Sequence, residues 1–180
     1  VDLGGYFLTD DPLQPCKYEI PLNTFLAPDE YILFLSESEA GAGQLPFRLS
    51  REGETVVLLD PESKVLDQLD FPPQYAGISF GRKDRKTGFF ARTTPGLENP
   101  AEVYKGKSKA PRLNPSPGIY SPGDVREICF EITKASKVYF TLDGSIPDSS
   151  DNRYVEKLRP DSSTVIRYIV YEEGFLPSDI

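Results

Sequence analysis

Residues Asp124–Asp143 read DVREICFEITKASKVYFTLD, the longest stretch of the 180-residue chain free of both glycine and proline. A helix interior loses roughly 1 kcal/mol at each glycine and about 3 kcal/mol at each proline, so a long helix has most room here. The residues choose otherwise. Ile128, Phe130 and Ile132 alternate with Glu127, Glu131 and Thr133, and Val138, Phe140 and Leu142 alternate with Lys137 and Thr141. This is a period of two, in β-branched and aromatic residues, and it predicts strands.

Outward from this stretch the same grammar recurs. Short runs at Gly5–Thr9, Lys17–Ile20, Tyr31–Ser36, Thr55–Leu59, Val65–Phe71, Ile78–Gly81 and Gly88–Ala91 have strand character. Between them stand Asp10-Asp11-Pro12, Ala27-Pro28-Asp29, Arg51-Glu52-Gly53, Asp60-Pro61-Glu62-Ser63 and Phe71-Pro72-Pro73, all with turn chemistry. With 17 prolines and 14 glycines punctuating the chain, the pattern predicts an all-β sandwich or barrel class.

Composition narrows the function classes. An apolar fraction of 38% and a charged fraction of 27% suit a soluble globular chain. No run reaches the roughly 18 apolar residues of a membrane-spanning helix, so no membrane insertion is expected. The opening VDLGGYFLTDD lacks a basic stretch leading into an apolar run and does not read as a signal peptide. A trimmed secreted chain would read the same way. Residues 1–100 carry nine Lys+Arg against sixteen Asp+Glu, a net of −7, and residues 101–180 carry eleven against twelve, a net of −1. Phosphate backbones need a basic footprint, so nucleic acid is not an expected partner.

Histidine is absent, which removes Ser-His-Asp and Cys-His nucleophiles, HExxH metal sites and imidazole acid/base chemistry. Cys16 and Cys129 sit in no CxxC pair and read as two small buried hydrophobes, with a disulfide between modules as the alternative. Residues 101–117, AEVYKGKSKAPRLNPSP, are basic, rich in proline and nearly free of bulky apolar groups. Such a composition predicts a semi-rigid extended spacer. The expected organisation is a module over residues 1–100, a linker over 101–114 and a small module over 115–180.

The first module resembles the lamin tail domain in its bacterial form. The likeness is carried by Val1-Asp2-Leu3-Gly4-Gly5-Tyr6 with Leu8-Thr9-Asp10-Asp11, then Leu26 to Phe34 and Phe47 to Val56, and it closes with Asp60-Pro61, Val65-Leu66-Asp67, Ser79-Phe80-Gly81-Arg82 and Thr94-Pro95-Gly96. Residues 115–180 are similar to the small chitobiase/β-hexosaminidase C-terminal type of module. That likeness starts at Pro115-Ser116-Pro117-Gly118-Ile119-Tyr120-Ser121 and centres on Tyr139-Phe140-Thr141-Leu142-Asp143-Gly144-Ser145-Ile146-Pro147. It continues through Tyr154, Ser163-Thr164-Val165-Ile166 and Gly174-Phe175-Leu176-Pro177-Ser178.

The two resemblances imply two immunoglobulin/fibronectin-like β-sandwich modules in tandem, without a cofactor, a metal or an active site. They also imply a strand before Val1 and another after Ile180, and an edge left open by a missing strand would favour a homodimer. The function they imply is that of accessory, interaction and spacer modules in a larger secreted or cell-surface bacterial protein. Neighbouring domains of that longer chain are the expected partners. A carbohydrate-binding module is the alternative.

The candidate residues follow. Asp143-Gly144 reads as a tight hairpin turn, because glycine there supplies a positive φ. Asp148, Asp151 and Asn152 lack the spacing and the bidentate glutamate of a calcium loop. Asp29, Glu30, Glu37 and Glu39 read as a solvated loop and not as a pair of catalytic carboxyls. The run Arg82-Lys83-Asp84-Arg85-Lys86 reads as a solvated hairpin loop. Tyr6, Tyr18, Tyr31, Tyr139, Tyr168 and Tyr171 lie in strand-like runs, and most of them read as core residues or cross-strand pairs. Tyr75, Tyr104, Tyr120 and Tyr154 lie in loop contexts, and Tyr120 and Tyr154 are the candidate contacts for a sugar ring or protein partner.

Overall fold

Every regular element among the described residues is a β-strand, as the period-two pattern and the density of glycine and proline require. The structure is a computed structural model, and it describes residues 1–36, 44–121, 123–125, 127–160 and 162–180. The chain divides into two compact units, Val1–Val103 and Tyr104–Ile180.

The first unit is built on a four-stranded antiparallel sheet. Its strands are β1 (Phe7–Thr9), β2 (Tyr18–Glu19), β5 (Glu54–Leu59) and β6 (Val65–Phe71), in the order β2-β1-β5-β6. β3 (Leu35–Ser36) and β4 (Gln44–Leu45) form a short parallel pair. β7 (Ser79–Lys83) and β8 (Lys86–Phe90) form a hairpin with Lys83 opposite Lys86. The β5–β6 hairpin closes at Asp60, whose Oδ1 accepts from the N–H groups of Glu62 (3.1 Å) and Lys64 (2.8 Å). Its backbone N–H donates to the Lys64 carbonyl at 2.9 Å. The Asp-Pro turn signal therefore has a mechanism: the carboxylate holds the loop that the proline starts.

Burial in this unit follows the strand pattern. Val57 and Leu59, two apart on β5, are both buried, together with Ile20, Leu45, Phe89 and Phe90. Phe89 meets Phe80 edge-on at 4.9 Å and Tyr75 at a tilt at 5.0 Å. Gly53 sits where a Cβ would lie 2.6 Å from the Phe71 carbonyl oxygen, and its φ is +95°. Both facts restrict the position to glycine. The expected strand over Tyr31–Ser36 is shorter than its apolar run: only Leu35 and Ser36 pair, and Tyr31 and Leu33 are exposed. Apolar content alone does not make a strand when no neighbour receives its backbone.

The second unit contains β9 (Arg112–Asn114) paired with β10 (Cys129–Glu131). It also has a three-stranded sheet of β12 (Asn152–Arg153), β11 (Lys137–Thr141) and β13 (Arg167–Tyr171), in that order. Phe130, Val138 and Val170 are buried at its centre, with Leu113, Tyr154, Leu158, Ile166 and Tyr168 packed around them. The Phe130 ring meets Tyr154 at 4.8 Å and Tyr168 at 5.0 Å, both edge-on.

Much of the stretch expected as a linker belongs to this unit. The N–H groups of Lys105 and Ser108 donate to the carbonyls of Gly174 and Leu176, at 2.9 and 2.7 Å, and Arg112–Asn114 is strand β9. A lysine- and proline-rich composition resembles a spacer, but backbone pairing needs no apolar side chain. The small residues Gly106 and Ser108 are buried while Lys105 and Lys109 stay exposed. Both cysteines are free, but neither is fully buried as expected: Cys129 is half-buried and Cys16 is exposed, with its Sγ 3.8 Å from Ser63 Oγ. Cys16 follows Pro15 just before the short edge strand β2, where no layer covers it.

Truncating Phe130 to alanine removes the ring on which Tyr154 and Tyr168 converge and should cost about 3–5 kcal/mol. Hydrogen exchange should then show protection lost across β10, β11 and β13 and kept in β5 and β8. Loss in both groups of strands would contradict separate cores.

Candidate functional site

The Asp143-Gly144 turn and the aspartates Asp148 and Asp151 lie in the loop between β11 and β12. Asp143 Oδ1 accepts from the Ser145 N–H at 3.0 Å and from the Ser145 hydroxyl at 2.6 Å. Gly144 has φ +79°, as the Asp-Gly reading expects. The turn does not close a tight hairpin, however. β11 pairs next with Asn152–Arg153, beyond a longer loop, and Asp143 itself bridges to Val165. The Asp-Gly pair bends the chain out of the sheet, where the sequence suggested a direct return.

The same device repeats five residues on. Asp148 Oδ1 accepts from the N–H (2.7 Å) and hydroxyl (2.6 Å) of Ser150, while Asp151 Oδ2 accepts from the Asp148 N–H at 2.8 Å. Thr141, itself buried, donates its hydroxyl to the Ser145 carbonyl at 2.7 Å. Hydrogen bonds from the serine hydroxyls, with the serine N–H groups second, hold the carboxyls of Asp143 and Asp148 below the ordinary aspartate range. Among the described residues no group of three or more Asp, Glu or Cys is placed to hold a metal ion.

The two candidate tyrosines part company. Tyr154 belongs to the core: its ring packs edge-on against Phe130 and its hydroxyl accepts from the Phe130 N–H at 3.3 Å. Its loop context in sequence concealed this, because the ring it packs on, Phe130, stands on a strand 24 residues away. Tyr120 stays at the surface, 45% exposed, with its hydroxyl donating to the Ser116 carbonyl. The two rings do not form one platform. Tyr75 packs on Phe89 and is likewise not a free ring.

Two open depressions mark the second unit, and neither is lined by Tyr120 or Tyr154. One, of about 490 Å³, lies among Phe140, Leu142, Arg153, Val155, Lys157 and Arg159. Glu127 accepts from Lys157 at 2.8 Å and from Arg159 at 3.1 and 3.2 Å. These cations, Lys157 first, lower the Glu127 carboxyl from its usual range. The other, of about 510 Å³, lies among Lys107, Arg112, Glu131, Ile132, Val170 and Phe175.

In the first unit the basic run is only in part a loop: Arg82 and Lys83 end β7, Lys86 opens β8, and Asp84 in the turn between them has φ +53°. Its leading cations are engaged. Arg82 Nη1 binds both oxygens of Asp67 at 2.7 Å, and Lys83 binds Glu98. Glu30 Oε2 accepts from the Ala27 N–H at 2.8 Å and so closes a turn. Glu37 and Glu39, with the loop Glu37–Gly43, lie outside the described residues. The Asp67–Arg82 pair had no local signal in the sequence, since its partners stand on different strands.

No family model matches the chain, and no curated protein or solved structure matches it either.

A carboxyl held below its ordinary range contributes stability above about pH 3.9 and loses it as the pH falls through its folded-state value. Asp143 and Asp148 should therefore titrate below about 3.9 by NMR. Melting temperatures measured from neutral to acid pH should fall more steeply for the native chain than for an Asp143→Asn, Asp148→Asn variant. The asparagines still accept from the serine N–H groups but carry no charge to lose.

Proposed function

We propose that the chain is a pair of non-catalytic accessory modules, of the immunoglobulin-like sandwich kind. In this reading they space and contact neighbouring domains of a larger secreted or cell-surface bacterial protein. The observation that carries the reading is where the polar side chains go. In the loops holding the most distinctive motif, Thr141, Asp143, Ser145, Asp148, Ser150 and Asp151 are bonded to their own loop. They make rigid turns and do not converge on a cavity.

The electrostatics support the same reading. A general acid needs a carboxyl raised toward neutrality. Among the described residues the shifted carboxyls, Asp67, Asp70, Glu127, Asp143 and Asp148, are all lowered by hydrogen-bond donors or cations. The division into two units, each with its own buried residues, suits a spacer, as does the likeness to the lamin tail and chitobiase C-terminal types. Secretion and the surface location rest on that likeness.

One observation favours the carbohydrate-binding alternative. The Tyr120 ring is exposed, and its hydroxyl is anchored to Ser116, so it would stack on a sugar with little further ordering cost. A glycan array probed with the chain, with and without calcium, separates the two readings. No selective binding is expected in either condition. Selective binding to one polysaccharide class, abolished by Tyr120→Ala, would move the assignment to carbohydrate recognition.

A further inference from the structure

β6 is the longest strand among the described residues, and it is an outer strand of its sheet. An edge strand turns the N–H and C=O of alternate residues away from its neighbour, which makes a template for another chain. Native edges are usually blunted by a bulge, a charge or a cover. β6 has a bulge: Leu58 pairs with Asp67 and Leu59 with Val65, which leaves Leu66 unpaired.

At the centre of the strand is something more specific. The Gln68 N–H donates to Asp67 Oδ1 at 2.8 Å, and the Gln68 carbonyl accepts from Arg82 Nη2. Asp67 and Arg82 are bound to each other through both carboxylate oxygens at 2.7 Å. The carboxylate thus provides an acceptor where a neighbouring strand would place its carbonyl. The guanidinium provides a donor where that strand would place its N–H. Together the two side chains substitute for one peptide unit of an adjacent strand, brought to β6 by the β7–β8 hairpin. The pair is exposed, 58% for Asp67 and 44% for Arg82, and an exposed ion pair stabilises a fold only slightly. It is a cover that opens at small cost.

We propose that the β6 edge is a self-pairing surface for a second copy of this chain, and that the Asp67–Arg82 pair holds it shut in the single chain. The occupant follows from the strand itself. Two β6 strands paired antiparallel about Gln68 put Gln68 opposite its own copy, so that their N–H and C=O groups exchange two hydrogen bonds. Asp67 then faces Leu69 of the second copy, and Leu66 faces Asp70. No carboxylate meets a carboxylate directly, so the arrangement avoids the like-charge opposition that weakens sheets. The two-fold symmetry closes the assembly at a dimer. This inference goes beyond the module reading and stands apart from the glycan test.

Sedimentation of the native chain, Arg82→Ala and Arg82→Lys tests it, over concentrations bracketing dissociation constants from about 1 mM to about 10 µM. Arg82→Ala should dimerise at least about tenfold more tightly than the native chain. Arg82→Lys, which keeps the charge beside Asp67, should stay closer to native. Adding Gln68→Pro to Arg82→Ala should abolish the gain, because proline has no N–H to give across the new pair. The Gln68 amide of Arg82→Ala supplies a second readout, independent of whether the proline variant folds: its protection from hydrogen exchange should rise with protein concentration. Unchanged association in Arg82→Ala, open-ended oligomers in place of a dimer, a dimer that survives Gln68→Pro, or amide protection independent of concentration would each overturn the proposal.

Discussion

The constraint on which both units depend is the satisfaction of backbone hydrogen bonds by side chains. A buried or half-buried peptide group without a partner costs about as much as a lost hydrogen bond. Strands of two to seven residues cannot meet that demand through ladders alone. Each short strand ends quickly, and its last N–H and C=O groups must find something else. Here aspartate, serine and threonine supply it. Asp60 closes the β5–β6 loop, Asp143 and Asp148 close the loop after β11, and Thr9, fully buried, donates to the Gln14 carbonyl at 2.8 Å.

Edges obey the same rule as turns. At the outer edge of β13 the Val170 N–H donates to the Ser178 hydroxyl at 3.0 Å, and the Ser178 N–H returns to the Val170 carbonyl at 3.0 Å. At the outer edge of β6, Asp67 and Arg82 serve Gln68 in the same two-handed way. One edge is sealed by a buried serine eight residues further along the chain, the other by an exposed ion pair. The chemistry is shared, but the permanence differs: a buried hydroxyl is costly to strip of its partners, whereas solvated charges exchange readily with water. This contrast marks β6 as the edge that can open.

The same economy bears on function. A loop carboxylate that two donors hold ionised is a poor proton donor. The most distinctive motif of the chain, Thr141 to Pro147, therefore builds structure, and it does so through groups that in sequence look like chemistry. The tyrosines show the converse. Tyr154 and Tyr120 looked alike in sequence, each in a polar loop. Packing against the cluster of Phe130, Val138 and Val170 makes one a core residue, while the other stays at the surface.

The sequence by itself determined that the chain is all-β, where most strands run, and which dipeptides turn. These are local matters: a period of two, the φ preferences of glycine, and the reach of an aspartate to a backbone N–H two residues away. Val57 with Leu59, and Val138 with Phe140, were legible for that reason. Tertiary structure alone decided which strands are neighbours, and with that the fate of individual side chains. It drew Tyr104–Asn114 into the second unit despite a spacer-like composition, left Cys16 exposed and buried Tyr154. It also joined Asp67 to Arg82 across two strands. Each of those outcomes depends on partners distant in sequence, and a pattern read along one strand carries no information about what the next strand will place beside it.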